Sequence, residues 1–229
     1  MMKKKGGVVM TYTYFAQAIV QIETQAIIRY ELLLRMWDEA HQQWRLPDTF
    51  EISVQEQTRL IVEALKALKI KRVGINLTPK QFHDPAVAAG LVAFVQQTPE
   101  LQTLTVELTD APTMEEMLSV GAQLHAAGIR IAIDDVGSDV TDYDLVEQLL
   151  PHLDIMKFAL QNMRALGQMD NVEAVIAKWR DLAARYHVEF TFEGVETPED
   201  LQLAGRSGVS EVQGYYFNKP ALPATFCKE

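Results

Sequence analysis

The sequence predicts an α/β fold: a (β/α)8 barrel of the TIM type with an irregular, antiparallel first strand. Three observations predict it. Seven β-like apolar runs follow one another, and each carries a residue able to bind a metal or move a proton. After an initial hairpin, helical patterns alternate with the strands. No Gly-rich phosphate loop follows the first strand, as the main alternative, a doubly wound open sheet, is expected to carry. Residues at the C-terminal ends of barrel strands share one mouth, so scattered polar positions become neighbours.

The elements follow in order. The first strand spans about 12–22 and the second 26–36, with too few residues between them for a crossover helix, so the pair is an antiparallel hairpin. A helix covers Val54–Lys69, with Leu60, Ile61, Ala64, Leu65 and Leu68 on one face. Another covers Pro85–Gln97. A third, Thr113–Ala127, opens with a capping box of Thr113 and Glu116 and ends before Gly128. Asp170 or Asn171 caps the helix that runs to about Tyr186. Thr197 caps the last, PEDLQLAG, with Pro198 in its first turn. The remaining strands fall at 71–77, 103–109, 129–134, 154–158, 188–193 and 212–217, which makes eight.

The chain of 229 residues fits one barrel, read as residues 11–229. Residues 1–10 read as a flexible solvated tail: Lys3, Lys4 and Lys5 precede an apolar stub too short for a signal segment or a membrane span. The cytoplasm is therefore the default location. A net charge of -10 argues against a DNA footprint, which would be basic. The single Cys227 excludes an intrachain disulfide and a cysteine metal cluster, and five dispersed histidines build no zinc motif. Any metal site must be oxygen-rich, which suits Mg²⁺ or Mn²⁺.

The runs carry the chemistry. IIRYELLLR holds Glu31, RVGINLTP Asn76, LTVELTD Glu107, IRIAIDDVG Asp134 and Asp135, LDIMKF Lys157, EFTFEGVET Glu193 and Glu196, and EVQGYYF Gln213. Taken alone, Asp135 or Thr197 reads as a helix cap and Lys157 as a surface lysine. Glu31 and Glu107 are less easily dismissed, because an unpaired carboxylate inside an apolar strand is costly. So many carboxylates in one mouth repel each other unless cations join them. Two divalent ions ~3.5–4 Å apart can clamp the attacking and leaving oxygens of a phosphodiester.

Through Glu31-Leu32-Leu33, NLTPKQF, Asp134-Asp135-Val136-Gly137, EGVET and VQGYYF, the chain resembles the EAL domain, a bacterial signalling phosphodiesterase (hydrolase) of cyclic di-GMP, over about Phe15–Phe226. The resemblance implies a two-metal site of Mg²⁺ or Mn²⁺. Glu31, Asn76, Glu107 and Asp134 match ligands of the first metal. Asp134 and Asp135, with Glu193 nearby, match those of the second. Lys157 matches the lysine that positions the attacking water, Glu196 the glutamate that orients it, and Gln213 a further polar residue of the site. Arg35 matches an arginine on a substrate phosphate, and Gln17 an early substrate contact.

The segment after Asp135 departs from the family. DDVGSDVTDYDL stands where DDFGTGYSSL is usual, so Asp139, Asp142 and Asp144 crowd the acidic pair. ELTD replaces ELTE, Phe158-Ala159 replaces Ile-Asp, and Ala18 replaces a proline. These changes spare the matched ligands and alter what surrounds them. The expected activity is hydrolysis of cyclic di-GMP to linear pGpG, at a weak rate, with a homodimer of weak or atypical kind. The alternative is a catalytically degenerate cyclic di-GMP sensor or protein-interaction module.

Overall fold

A computed structural model describes residues 10–228; the expected tail, apart from Met10, lies outside the described residues. Strand β1 (Tyr12–Gln21) and strand β2 (Ile27–Asp38) form the expected antiparallel hairpin, in a register that sets Gln17 opposite Glu31. A ninth strand, not among the eight expected, follows: β3 (Gln43–Arg45) folds back on the end of β2 and sets Trp44 edge-to-face against Trp37. Helix α1 (Val54–Ala67) is capped by the Ser53 hydroxyl and buries Leu60, Ile61, Ala64 and Leu65.

Strand β4 (Arg72–Leu77) leads into the short helix α2 (Pro79–His83), where Thr78 and Gln81 form a capping box that the sequence reading overlooked. Helix α3 (Pro85–Gln97) has the expected bounds and begins at proline behind an Asp84 cap. Strand β5 (Thr103–Leu108) follows. The expected single helix over 113–127 is divided into α4 (Met114–Glu116), a π-turn at Met117–Gly121, and α5 (Ala122–Ala126). The Thr113–Glu116 capping box is present. The break coincides with Ser119, whose hydroxyl donates to the Glu115 carbonyl at 2.7 Å and so competes with the backbone ladder.

Strand β6 (Arg130–Ile133) and helix α6 (Tyr143–Leu149) precede β7 (Ile155–Ala159), helix α7 (Leu160–Ala165) and helix α8 (Val172–Arg185). Asn171 occupies the cap position of α8 without a side-chain bond to it. Strand β8 (Glu189–Glu193), helix α9 (Pro198–Arg206) under a Thr197–Asp200 capping box, and strand β9 (Glu211–Gln213) complete the ring. The run read as a strand over 212–217 stops at Gln213, because Phe217 N–H turns back to the Gly214 carbonyl.

The ring runs β1-β9-β8-β7-β6-β5-β4-β2 and closes through β1–β2, with β3 as a flap on β2. Every pairing from β2 round to β9 is parallel, whereas β1 is antiparallel to both neighbours. Strand β1 therefore runs from the mouth at the C-terminal ends of the other strands downward. Its Gln17 meets the mouth from the opposite direction to every other strand. Outward-facing Val73, Ile75, Leu104, Val106, Ile131, Ile133, Met156 and Phe192 are buried under the helices. The inward positions are largely polar and alternate with these. No helix among the described residues is long and apolar enough to cross a membrane.

Candidate active site

At the C-terminal mouth the strands deliver Glu31 from β2, Asn76 from β4, Glu107 from β5, Lys157 from β7, Glu193 from β8, Gln213 from β9 and Gln17 from β1. Asp134 follows β6 directly. Strand alternation explains the convergence, since each residue occupies an inward position at the level of the mouth. Glu107 needs one concession from its neighbour: a Cβ at Gly74 would lie 2.0 Å from Glu107 Oε1, so only glycine leaves room for that carboxylate.

Lys157 is the centre of the arrangement. It is 1% exposed. Its ammonium lies 2.5 Å from Glu107, 2.7 Å from Glu193, 3.4 Å from Asp134 and 3.5 Å from Glu31. The Glu193 contact is a close ion pair without hydrogen-bond geometry, since Glu193 Oε1 counts no hydrogen-bond partner. Burial alone would push the lysine down, yet Asp134, Glu107, Glu193 and Glu31 hold it well above its ordinary value.

The carboxylates bear the opposite strain. Burial, reinforced by Glu31 and Asp134, pushes Glu107 up to about 7 despite Lys157. Burial likewise drives Glu193 well above the carboxylate range, and Asp134 is raised too. Glu31 alone falls: its burial is outweighed by Lys157 and by hydrogen bonds from Gln213 (2.7 Å) and Asn76 (2.7 Å). Gln213 also donates to Gln17 Oε1 at 3.1 Å, which joins the two carboxamides into one ledge.

Asp135 enters the mouth through its backbone. Strict alternation would turn it away from Asp134, but its φ of +54° reverses the chain there. A left-handed non-glycine residue costs about 1–2 kcal/mol. Its carbonyl accepts the N–H groups of Ser138, Asp139 and Val140 at 3.3, 3.1 and 3.2 Å, which offsets that cost. Burial, then Asp134, lifts Asp135 to about 7, with Asp139 adding to the rise. Asp142 is different: it caps α6 by accepting Leu145 N–H at 3.0 Å, and Asp144 lies in the first helical turn. Of the three extra acids in this loop, two serve the helix.

Two overlapping groups of carboxylates each bring ligand atoms within 4.8 Å of one another: Glu31, Glu107 and Asp134, and Asp134, Asp135 and Glu193. All the donors are oxygen, and four of the five carboxylates are paired with one ammonium. The set fits hard divalent cations, which would relieve the upward pressure on Glu107, Asp135 and Glu193.

A cavity of about 320 Å³ opens over this centre, lined by Gln17, Glu31, Asp134, Asp135, Glu193 and Gln213 and, beyond them, by Leu33, Gln161, Asn162, Glu196 and Tyr215. Glu196 lies on its exposed rim, where its backbone N–H donates to Asp200 at 2.9 Å. Its carboxylate is not among the partners of Lys157, because the chain turns at Gly194 (φ +74°) and carries Glu196 outward. Arg35 stands above the mouth over the Phe15 ring and donates to the Leu34 carbonyl at 2.9 Å. Sequence reasoning missed Gln161 and Asn162, which begin α7 just beyond the Lys157 strand; polar residues directly after a strand end were the signal.

A second cavity, about 270 Å³, lies at the opposite mouth among Arg29, Arg72, Arg130, Glu189 and Glu211. There Arg29 is paired with Glu211 at 2.7 Å and bonded to Thr191 at 2.6 Å, and Arg130 is paired with Glu189 at 2.9 Å. These pairs lie at the barrel floor, and among the described residues no group of clustered metal-ligand atoms lies there.

The EAL domain family model matches residues 10–220. Among curated relatives, the probable cyclic di-GMP phosphodiesterase PdeD of Escherichia coli K12 is 28% identical over 91% of this chain and 41% of its own length. The probable cyclic di-GMP phosphodiesterase PdeN of the same organism is 27% identical over 89% of this chain and 42% of its own. The chain thus spans about two fifths of these relatives. Among solved structures, Bacillus subtilis YkuI, an EAL-domain protein in complex with cyclic di-GMP and calcium, superposes with a TM-score of 0.73 at 21% identity, over 92% of this chain and 56% of that one.

Proposed function

The chain belongs to the EAL domain family, and from that premise we propose that it is a metal-dependent phosphodiesterase opening cyclic di-GMP to linear pGpG. The observation that carries the reading is the pair of carboxylate groups sharing Asp134 around one buried ammonium. The names of PdeD and PdeN, and the cyclic di-GMP held by YkuI, point to the same substrate.

In this reading Glu31, Glu107 and Asp134, with Asn76 beside them, hold one divalent cation, and Asp134, Asp135 and Glu193 hold a second. Mg²⁺ or Mn²⁺ bound there supplies positive charge to the phosphoryl oxygens and makes water more acidic. The other duties fall to the chain. Lys157 orients the attacking water, and the carboxylates around it fix its ammonium. The water oxygen attacks phosphorus and gives up a proton, the P–O3′ bond breaks, the leaving O3′ takes up a proton, and the phosphate remains on the 5′ side of pGpG. Gln17 and Gln213 form the ledge under the ligand, where Gln213 Oε1, buried without a protein partner, is an acceptor for a ligand N–H. Arg35 holds a phosphate or guanine not undergoing cleavage.

The test is incubation of the purified protein with cyclic di-GMP in Mg²⁺, Mn²⁺ or EDTA, with chromatography for pGpG. Product with either metal and none in EDTA is expected. Absence of product with both metals at every pH defeats the enzyme reading. Nucleotide bound without product in that same experiment identifies a sensor.

A further inference from the structure

We propose that Asn162, in the first turn of α7, is a positioning residue that aims the Asp135 carboxylate into the cation site. The role rests on the two-cation reading above. Asn162 Nδ2 lies 2.9 Å from Asp135 Oδ1 and 3.1 Å from Ser138 Oγ, so both of its N–H bonds are used. The amide faces this way because the Ser138 hydroxyl already donates to the Asp135 carbonyl at 3.1 Å, so the hydroxyl oxygen can only accept from Asn162. One carboxylate oxygen of Asp135 is thereby tied to α7, and the other stays free for a cation.

The placement is informative. Asp135 joins Asp134 and Glu193 only because the backbone reverses at φ +54°. A short side chain on such a bend can swing toward solvent. Two ties hold it. Val136 N–H donates to the Lys157 carbonyl at 3.1 Å, which fixes the backbone to β7. Asn162, five residues after Lys157, fixes the carboxylate to the helix that β7 enters. Water-orienting lysine and cation-holding aspartate are in this way referred to the same strand and helix. Partners of this kind typically govern metal affinity by 10–100-fold.

The experiment is calorimetric titration of the metal-free protein with Mn²⁺, on wild type, Asn162→Ala, the near-isosteric Asn162→Leu, and Ser138→Ala. Thermal unfolding in EDTA checks that each variant is folded. Both Asn162 variants should weaken one of two binding steps by roughly 10-fold or more and leave the other unchanged. Activity should recover at high Mn²⁺. Ser138→Ala should keep both steps, since the Asn162–Asp135 bond survives it. Wild-type binding in both Asn162 variants overturns the role, and so does an equal loss in Ser138→Ala, which would trace the effect to the loop. A wild-type protein that takes up only one Mn²⁺ overturns the two-cation reading itself and this role with it. That outcome is visible before any variant is compared. Asn162→Leu decides the matter should Asn162→Ala fail to fold.

Discussion

Replacing Glu107 by glutamine should stabilise the metal-free protein while abolishing its function. Glu107 is almost fully buried, and its carboxyl is held up at about 7 against an ordinary 4.5. A carboxyl raised on folding contributes stability at low pH, and that contribution is lost as pH rises from 4.5 through about 7. Above that window, ionised Glu107 costs the fold about 3 kcal/mol, at about 1.4 kcal/mol per pKa unit. The attraction of Lys157 is already contained in that value, and glutamine can still accept the lysine's hydrogen bond. In EDTA at pH 8, Glu107→Gln should therefore gain up to about 3 kcal/mol, or roughly 6–12 °C in Tm for a chain of this size. At pH 5, where native Glu107 carries its proton, the gain should shrink below about 1 kcal/mol. Urea unfolding at the two pH values measures both. Saturating Mn²⁺ should close the gap from the wild-type side. A variant less stable than wild type at pH 8, or a gap independent of pH, would show that Glu107 is not electrostatically strained.

Other outcomes follow from the same geometry. Glu31→Ala should reduce turnover at least roughly 10³-fold, as expected when a group aligned on developing charge is removed, with an unchanged far-ultraviolet circular dichroism spectrum. Gly74→Ala, whose methyl would meet Glu107 Oε1, should weaken Mn²⁺ binding and cost roughly 1–3 kcal/mol of stability by overpacking; calorimetry and urea unfolding report the two effects separately. Arg35→Ala should raise KM about 10-fold or more with a smaller fall in kcat, and an unchanged KM with collapsed turnover would assign Arg35 another duty. Thr197→Ala should cost about 1 kcal/mol through the lost cap of α9, with little change in metal binding.

The barrel was legible because a polar residue inside an apolar strand is conspicuous. Glu31 and Glu107 stand out in this way, and the structure brings both together around Lys157. Elements of a few residues left weaker traces. Strand β3 and helices α2, α6 and α7 are too short for a period of 2 or 3.6 to emerge. The acids after Asp135 were read as charges crowding the site, yet Asp142 caps a helix the sequence reading had not anticipated. Glu196 shows a further limit. Its three-residue spacing from Glu193 is plain in EGVET, but a turn at Gly194 decides which of the two faces the lysine. Asn162 becomes meaningful only when α7 is folded against the Asp135 bend.

The reversed direction of β1 makes the two flanks of the barrel inequivalent as points of attachment. Tyr12 pairs with Met36, beyond Glu31 on the mouth side, whereas Phe226 packs on Tyr30 and Cys227 Sγ donates to the Ala67 carbonyl at the far end of α1. A reporter or tether joined just before Tyr12 would stand beside the opening and crowd an incoming nucleotide. One joined after the last turn would hang from the flank and leave the entrance clear. The orientation of a single strand thus sets which edge of the described barrel is a handle and which is a gatepost.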